Sequence, residues 1–244
     1  MKVTRVVTLL AIVVVAVSVS IWIISNVKKT EALTKRALLE ATENGDLKAV
    51  VKYLGKGALA NARDSKGISA LMMAAVQGYS EIFKLYLDKG ADVNLKDPDG
   101  RTALMWLARA DWVTRSNFRA GSGTELFKYF HDAMVKQLLD KGADVNVADK
   151  DGDTALMYAT EQPQSGMVKL LLEKGADVNV KNKEGITALM KAAEVGPLET
   201  VKMLIGKGAD VNAEDAAGKS VMKHAGGSAR EEKVKLILAA GAKG

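Results

Sequence analysis

The sequence predicts an all-α repeat solenoid: a stack of about six two-helix units joined by short hairpin-like turns and preceded by one hydrophobic helix. Three observations predict it. The pentapeptide Gly-Ala-Asp-Val-Asn occupies 90–94, 142–146, 175–179 and 208–212, with a decayed copy at 57–61 and a truncated one, Gly241-Ala242, at the end. The glycines at 57, 90, 142, 175, 208 and 241 are 33 residues apart in four of the five intervals; the exception, 90 to 142, is 52, or 33 plus 19. A fixed period in this range marks a stacked repeat array. A companion motif, Gly-x-Thr-Ala-Leu-Met at 100–105, 152–157 and 185–190, keeps a constant register with the first, and 67–72 is a near copy, Gly-Ile-Ser-Ala-Leu-Met. Between the motifs, apolar residues recur at helical spacing, as in Leu33, Ala37, Leu38 and Ala41. The companion glycines 67, 100, 152, 185 and 218 are expected to start helices.

With these residues in this register, the sequence resembles the ankyrin repeat family. The family unit is a β-turn and two antiparallel helices over roughly 33 residues. The resemblance covers about residues 31–244, in units of about 31–62, 63–95, 96–147, 148–180, 181–213 and 214–244. The family pattern has Thr-Pro-Leu-His where this chain has Thr-Ala-Leu-Met. The difference removes a Pro pre-organised for the helix start and the Thr–His hydrogen bond the family uses there. It places Met72, Met105, Met157 and Met190 where His would stand, which favours apolar packing.

Residues 6–24 form an uncharged run of 19, rich in Val and Ile, with Lys2 and Arg5 before it and Lys28 and Lys29 after it. At about 1.5 Å per residue, such a run just spans a hydrocarbon core of roughly 30 Å. Residues 1–29 therefore read as a transmembrane anchor or a signal segment. Candidate cleavage points lie near Ser18 and Ser20, but the apolar run continues past both. The expected placement is a single-pass protein of the bacterial inner membrane with its repeats in the periplasm; the alternative is a soluble periplasmic or secreted protein after cleavage.

The units follow in order. The first is worn, with a break at Asn44-Gly45-Asp46 and a charged outer face (Lys35, Glu40, Glu43) suited to an end cap. The second has helices at about 70–76 and 81–87. In the third, helices at 103–110 and 134–140 are separated by the 19 additional residues, 111–129. Either these form a functional loop, or 125–130 lengthen the second helix. The fourth has helices at 155–162 and 167–173, the fifth at 188–195 and 198–205. The sixth is short and polar and reads as the C-terminal cap.

Composition narrows the function. The formal charge is +6, of which Lys2, Arg5, Lys28 and Lys29 supply four, so the array is near neutral. That argues against nucleic-acid binding, which needs a concentrated basic face. There is no cysteine, and the two histidines, His131 and His224, lie in different units. No catalytic motif or phosphate loop is present, so no enzyme activity, small-molecule substrate, metal or cofactor is expected. Asp149, Asp151 and the motif aspartates recur with the repeat and read as turn formers.

What varies between units is informative. The position after the motif methionine is Met73, Trp106, Tyr158, Lys191 and, in register, His224. The resemblance implies that this position lies on or beside the concave surface used for partners. Met73, Trp106, Arg109, Tyr158, Glu161 and Lys191 are therefore candidate contacts with another protein, because Trp, Tyr and Arg dominate interface energies. Packing between units is the competing reading of Trp106 and Tyr158. If those rings are exposed contacts, truncating both to Ala should leave stability near wild type. The insertion, with Trp112, Arg115, Phe118 and Arg119, is a second candidate surface. A protein using it could be an exported immunity or inhibitor protein that blocks an envelope enzyme.

Overall fold

A computed structural model describes residues 2–56, 59–109, 124–162, 166–227 and 229–243, with side chains from residue 17 onward apart from those of 124–130. The described helices are α1 (Lys2–Glu43), α2 (Leu47–Gly55), α3 (Ala70–Val76), α4 (Ser80–Asp88), α5 (Ala103–Ala108), α6 (Thr124–Asp140), α7 (Ala155–Thr160), α8 (Gly166–Glu173), α9 (Ala188–Glu194), α10 (Leu198–Gly206), α11 (Val221–His224) and α12 (Arg230–Ala239). Among the described residues there are no strands, only isolated antiparallel bridges such as Ala148 to Thr154. The first helices form one row, in which α1, α3, α5, α7, α9 and α11 each pack on the next. The second helices lie outside them. This is the α solenoid the periodicity predicts.

Helix starts differ from expectation. Gly100, Gly152 and Gly185 do not start helices; they sit in the turn at φ of +85°, +85° and +75°, a region closed to a right-handed helix. The start belongs to the hydroxyl residue two positions on. Ser69, Thr102, Thr154 and Thr187 each accept the N–H of the motif methionine, at 3.2 Å, 3.4 Å, 3.4 Å and 3.3 Å, which satisfies an otherwise orphaned donor of the first turn. The methionines that replace the family's His are buried, with Met72 and Met190 at 0% exposure and Met105 and Met157 at 1%. They fill the seam between first helices together with Leu71, Leu104, Leu156 and Leu189.

Each turn is built on one side chain. Asp64, Asp97, Asp149, Asn182 and Asp215 accept, on Oδ1, the N–H groups two and four residues ahead. The turns are also stitched to one another. Lys150, Lys183 and Ala216 donate their N–H groups to the carbonyls of Asp99, Asp151 and Glu184 at 2.7 Å, 2.9 Å and 2.8 Å.

The motif asparagines make a second ladder on the pentapeptide side. Asn94, Asn146 and Asn179 accept the N–H of Asp144, Asp177 and Asp210, at 2.8 to 2.9 Å, and donate to the carbonyls of Gly142, Gly175 and Gly208. One amide thus joins each unit to the next twice. Meanwhile Asp92, Asp144, Asp177 and Asp210 cap their own turn by accepting the asparagine N–H. This is why the pentapeptide repeats: Asp shapes the bend and Asn couples it to its neighbour.

The helix boundaries decide two expectations, one at the N-terminal end and one in the third unit. The helix α1 runs without a break from the N-terminal segment through the first unit's first helix. Among the described residues, no helix is long and apolar enough to cross a membrane. That overturns the single-pass placement of residues 6–24 in a bacterial inner membrane. The same helix α1 carries Lys28, Lys29, Glu31, Lys35 and Arg36 on its later turns and packs into the array against α2 and α3. In the third unit, α6 begins at Thr124, so residues 125–130 do lengthen the second helix.

Candidate functional site

The variable position of the sequence lies nine residues beyond the turn-forming acid, and the two are chemically coupled. Each turn acid uses Oδ1 for the backbone and has Oδ2 to spare. Trp106 Nε1 donates to Asp97 Oδ2 at 3.0 Å, the Tyr158 hydroxyl to Asp149 Oδ2 at 2.6 Å, and His224 Nε2 lies 2.9 Å from Asp215 Oδ2. Where the turn residue is Asn182, no second carboxylate oxygen exists. The amide nitrogen bonds instead to Asp153 Oδ1 at 2.9 Å. The partner at that register is then a cation, Lys191, which turns to Glu161 at 3.1 Å and Asp153 at 3.6 Å. Nine residues beyond Asp64 the register position is apolar, Met73, which is half-buried. The donor at the variable position and the acceptor in the turn therefore vary together.

This coupling places the predicted residues. Trp106, Tyr158, Lys191 and Arg109 are half-buried, and Glu161 is exposed. Arg101 stacks on Trp106 with its guanidinium carbon 4.7 Å from the ring centre, and also pairs with Asp97 and Asp99. Tyr158 is flanked by two cations, Arg109 at 5.3 Å and Lys191 at 5.8 Å. Burial holds the Tyr158 phenol well above its usual range, helped by its bond to Asp149 and the charges of Asp149 and Asp153. At Lys191, burial pulls the ammonium down, but Glu161 and Asp153 outweigh it and the group is raised. Asp215 is held below the usual carboxylate range, first by the Lys219 N–H and further by His224.

Arg109, Tyr158, Lys191 and Glu161 therefore form one contiguous cluster. The two rings are not free contacts: each has one edge fastened to its own turn. Truncating both to Ala would leave Asp97 and Asp149 short of a donor each, so stability near wild type is no longer the expectation. Trp112, Arg115, Phe118 and Arg119 of the insertion lie outside the described residues.

Sequence reading missed the groove beside this cluster. A cleft of about 700 Å³ opens along α9, bounded by the turns of the fourth, fifth and sixth units. It is lined by Asp151, Asp153, Glu161, Glu184, Glu194 and Asp215 against Lys183, Lys191 and Lys219. A near-neutral array thus carries a locally acidic trough. The signal lay in the sequence as the recurrence, at 33-residue intervals, of acids in the turn and at the end of the first helix.

Against known families, the model described as ankyrin repeats in three copies matches residues 35–115, 126–215 and 164–243, and the single ankyrin repeat model matches 99–150. The chain belongs to the ankyrin repeat family. Ankyrin repeats generally mediate protein–protein interaction, and proteins built from them are typically non-enzymatic scaffolds. No curated protein matches this ankyrin chain.

Proposed function

We propose that this ankyrin array is a non-enzymatic interaction module that holds another protein against its first-helix face, with Arg109, Tyr158, Glu161 and Lys191 at the centre of contact and Met73 and Trp106 extending it. One observation supports the reading: the side chains that break the repeat fall nine and twelve residues beyond the turn residue, and Trp106, Tyr158 and Lys191 are tied there by hydrogen bonds or ion pairs. Tyr158, locked by Asp149 and flanked by two cations, is a rigid amphipathic anchor with little rotamer entropy left to lose on binding. Arg109 and Glu161 supply opposite charges on either side of it.

The test uses the full chain as bait with crosslinking in its native cells, followed by an affinity measurement on the recovered partner. The double variant Arg109→Ala, Glu161→Ala should bind at least about tenfold more weakly, because hot-spot truncations cost on the order of 2 kcal/mol. Its melting temperature should stay within a few degrees of wild type. Undiminished binding by a folded double variant would move the interface off this face.

A further inference from the structure

The acidic trough contains one side chain whose chemistry is incomplete. His224 is 7% exposed, and its Nδ1 has no hydrogen-bond partner. Its other nitrogen, Nε2, faces the Asp215 carboxylate at 2.9 Å. A carboxylate only accepts, so Nε2 carries a hydrogen, and in the tautomer with that hydrogen alone Nδ1 presents a lone pair. Facing Nδ1 is another acceptor, Glu194 Oε2 at 3.8 Å. Two acceptors are thus turned towards one another across a gap too long for a hydrogen bond. Glu194 is largely exposed, at 59%, so its carboxylate is free to meet a partner's donor.

Such a pair asks for a donor. Lys191, the cation at the centre of the trough, is engaged by Glu161 and Asp153. Among the described residues, no group of three or more His and acidic side chains is placed to hold a metal ion. The fit is to an organic cation with more than one N–H. A guanidinium presents parallel donors in a fixed fork, whereas an ammonium is a single hydrated point charge. The exposed carboxylates of Asp151 and Glu184, also in the trough, add attraction for a positively charged segment.

We propose that the trough beside α9 receives an arginine side chain from an extended basic segment of the partner protein, its guanidinium donating to Glu194 and to Nδ1 of His224. The assignment rests on the interaction reading above and names the chemistry of the partner at this end of the array. The groove's charge supports it, and so does the buried, unpartnered Nδ1.

The experiment is an NMR titration of the isotopically labelled full chain with acetyl-Gly-Arg-Gly-amide, its lysine and citrulline counterparts, and the Glu194→Gln variant. The arginine peptide should perturb the His224 ring nitrogens and the Glu194 amide. Citrulline keeps the shape without the charge and should bind about tenfold more weakly, as the loss of a charge-assisted bond implies. Lysine should also bind more weakly than arginine, and Glu194→Gln should cost the arginine peptide a similar factor. Equal binding of citrulline or lysine, or indifference to Glu194→Gln, would overturn the assignment. So would a His224 ring found protonated on both nitrogens at neutral pH, because it would then satisfy Glu194 itself. Should the native partner lose affinity for the Arg109, Glu161 variant but not for Glu194→Gln, the interaction face would stand and the arginine pocket would fall.

Discussion

Tyr86 shows how a single side chain ties the first unit to the second. It is fully buried on α4, and its oxygen lies 2.5 Å from Thr42 Oγ1 on α1. Thr42 spends its own hydrogen on the Leu38 carbonyl at 2.8 Å, so the phenol is the donor. Burial pushes its pKa up to about 12 from 10.0. Below pH 10 both folded and unfolded chains keep the proton. Between about 10 and 12 only the folded chain keeps it, so stability falls as pH rises through that window, by about 1.4 kcal/mol per pH unit for one proton. Urea midpoints across pH 9–12 should drop less steeply for Tyr86→Phe than for wild type; parallel curves would contradict the assignment. Lys233 is the opposite case. It is 0% exposed, and Nζ donates to the carbonyls of Ala193 and Gly226 at 3.1 Å and 3.3 Å. Burial lowers its pKa, so the folded chain gives up this proton more readily than the unfolded one. Lys233→Met keeps the stem and removes the desolvated charge, and it should match or exceed wild type in melting temperature. Lys233→Ala should cost about 2–5 kcal/mol through the cavity it leaves. Equal losses in both would mean that the ammonium, not the stem, holds α12 in place.

At the scale of an element, the turn glycines separate backbone strain from packing. Gly175 and Gly185 both have positive φ, +86° and +75°. A Cβ on Gly175 would meet nothing within 4 Å, whereas on Gly185 it would lie 2.6 Å from the backbone nitrogen of Ala216. Both alanine variants take on left-handed strain of about 1–2 kcal/mol. Only Gly185→Ala must also push the next turn away, which adds roughly 1–3 kcal/mol of overpacking. Chemical denaturation should rank Gly185→Ala well below Gly175→Ala; equal losses would mean that the turns do not touch as the structure has them.

The elements also show what the sequence could tell. Period and register made the turns and the buried Leu-Met seam readable, because both recur in the four central units. The continuity of α1 across residues 29–31 was missed, although no Gly or Pro stands before Gly45 to stop a helix there. The link between a turn acid and the donor nine residues later was hidden. It pairs a repeating residue with a varying one, and each looks ordinary alone. The acidic trough was hidden for a related reason: its carboxylates come from three successive units and only the stack brings them together.

On the scale of the molecule, the stack works as a nearest-neighbour object. Backbone bonds between turns and the asparagine ladder run from each unit to the next, so its stability is approximately a sum over units and interfaces. The repeating side chains are consumed by that ladder. The side chains that differ between units gather on the first-helix face from Trp106 to His224, the face proposed to meet a partner. Glu161 and Glu194 point from that face, while Lys169 and Lys202 stand on the second helices α8 and α10, all of them exposed. The most direct measurement puts a photo-crosslinking residue at each of these four positions in turn, in the full chain within its native cells, and identifies the adducts by mass spectrometry. The account predicts one common protein adduct from positions 161 and 194 and none of that adduct from 169 and 202. The same adduct from the second-helix positions, with silence at 161 and 194, would contradict it.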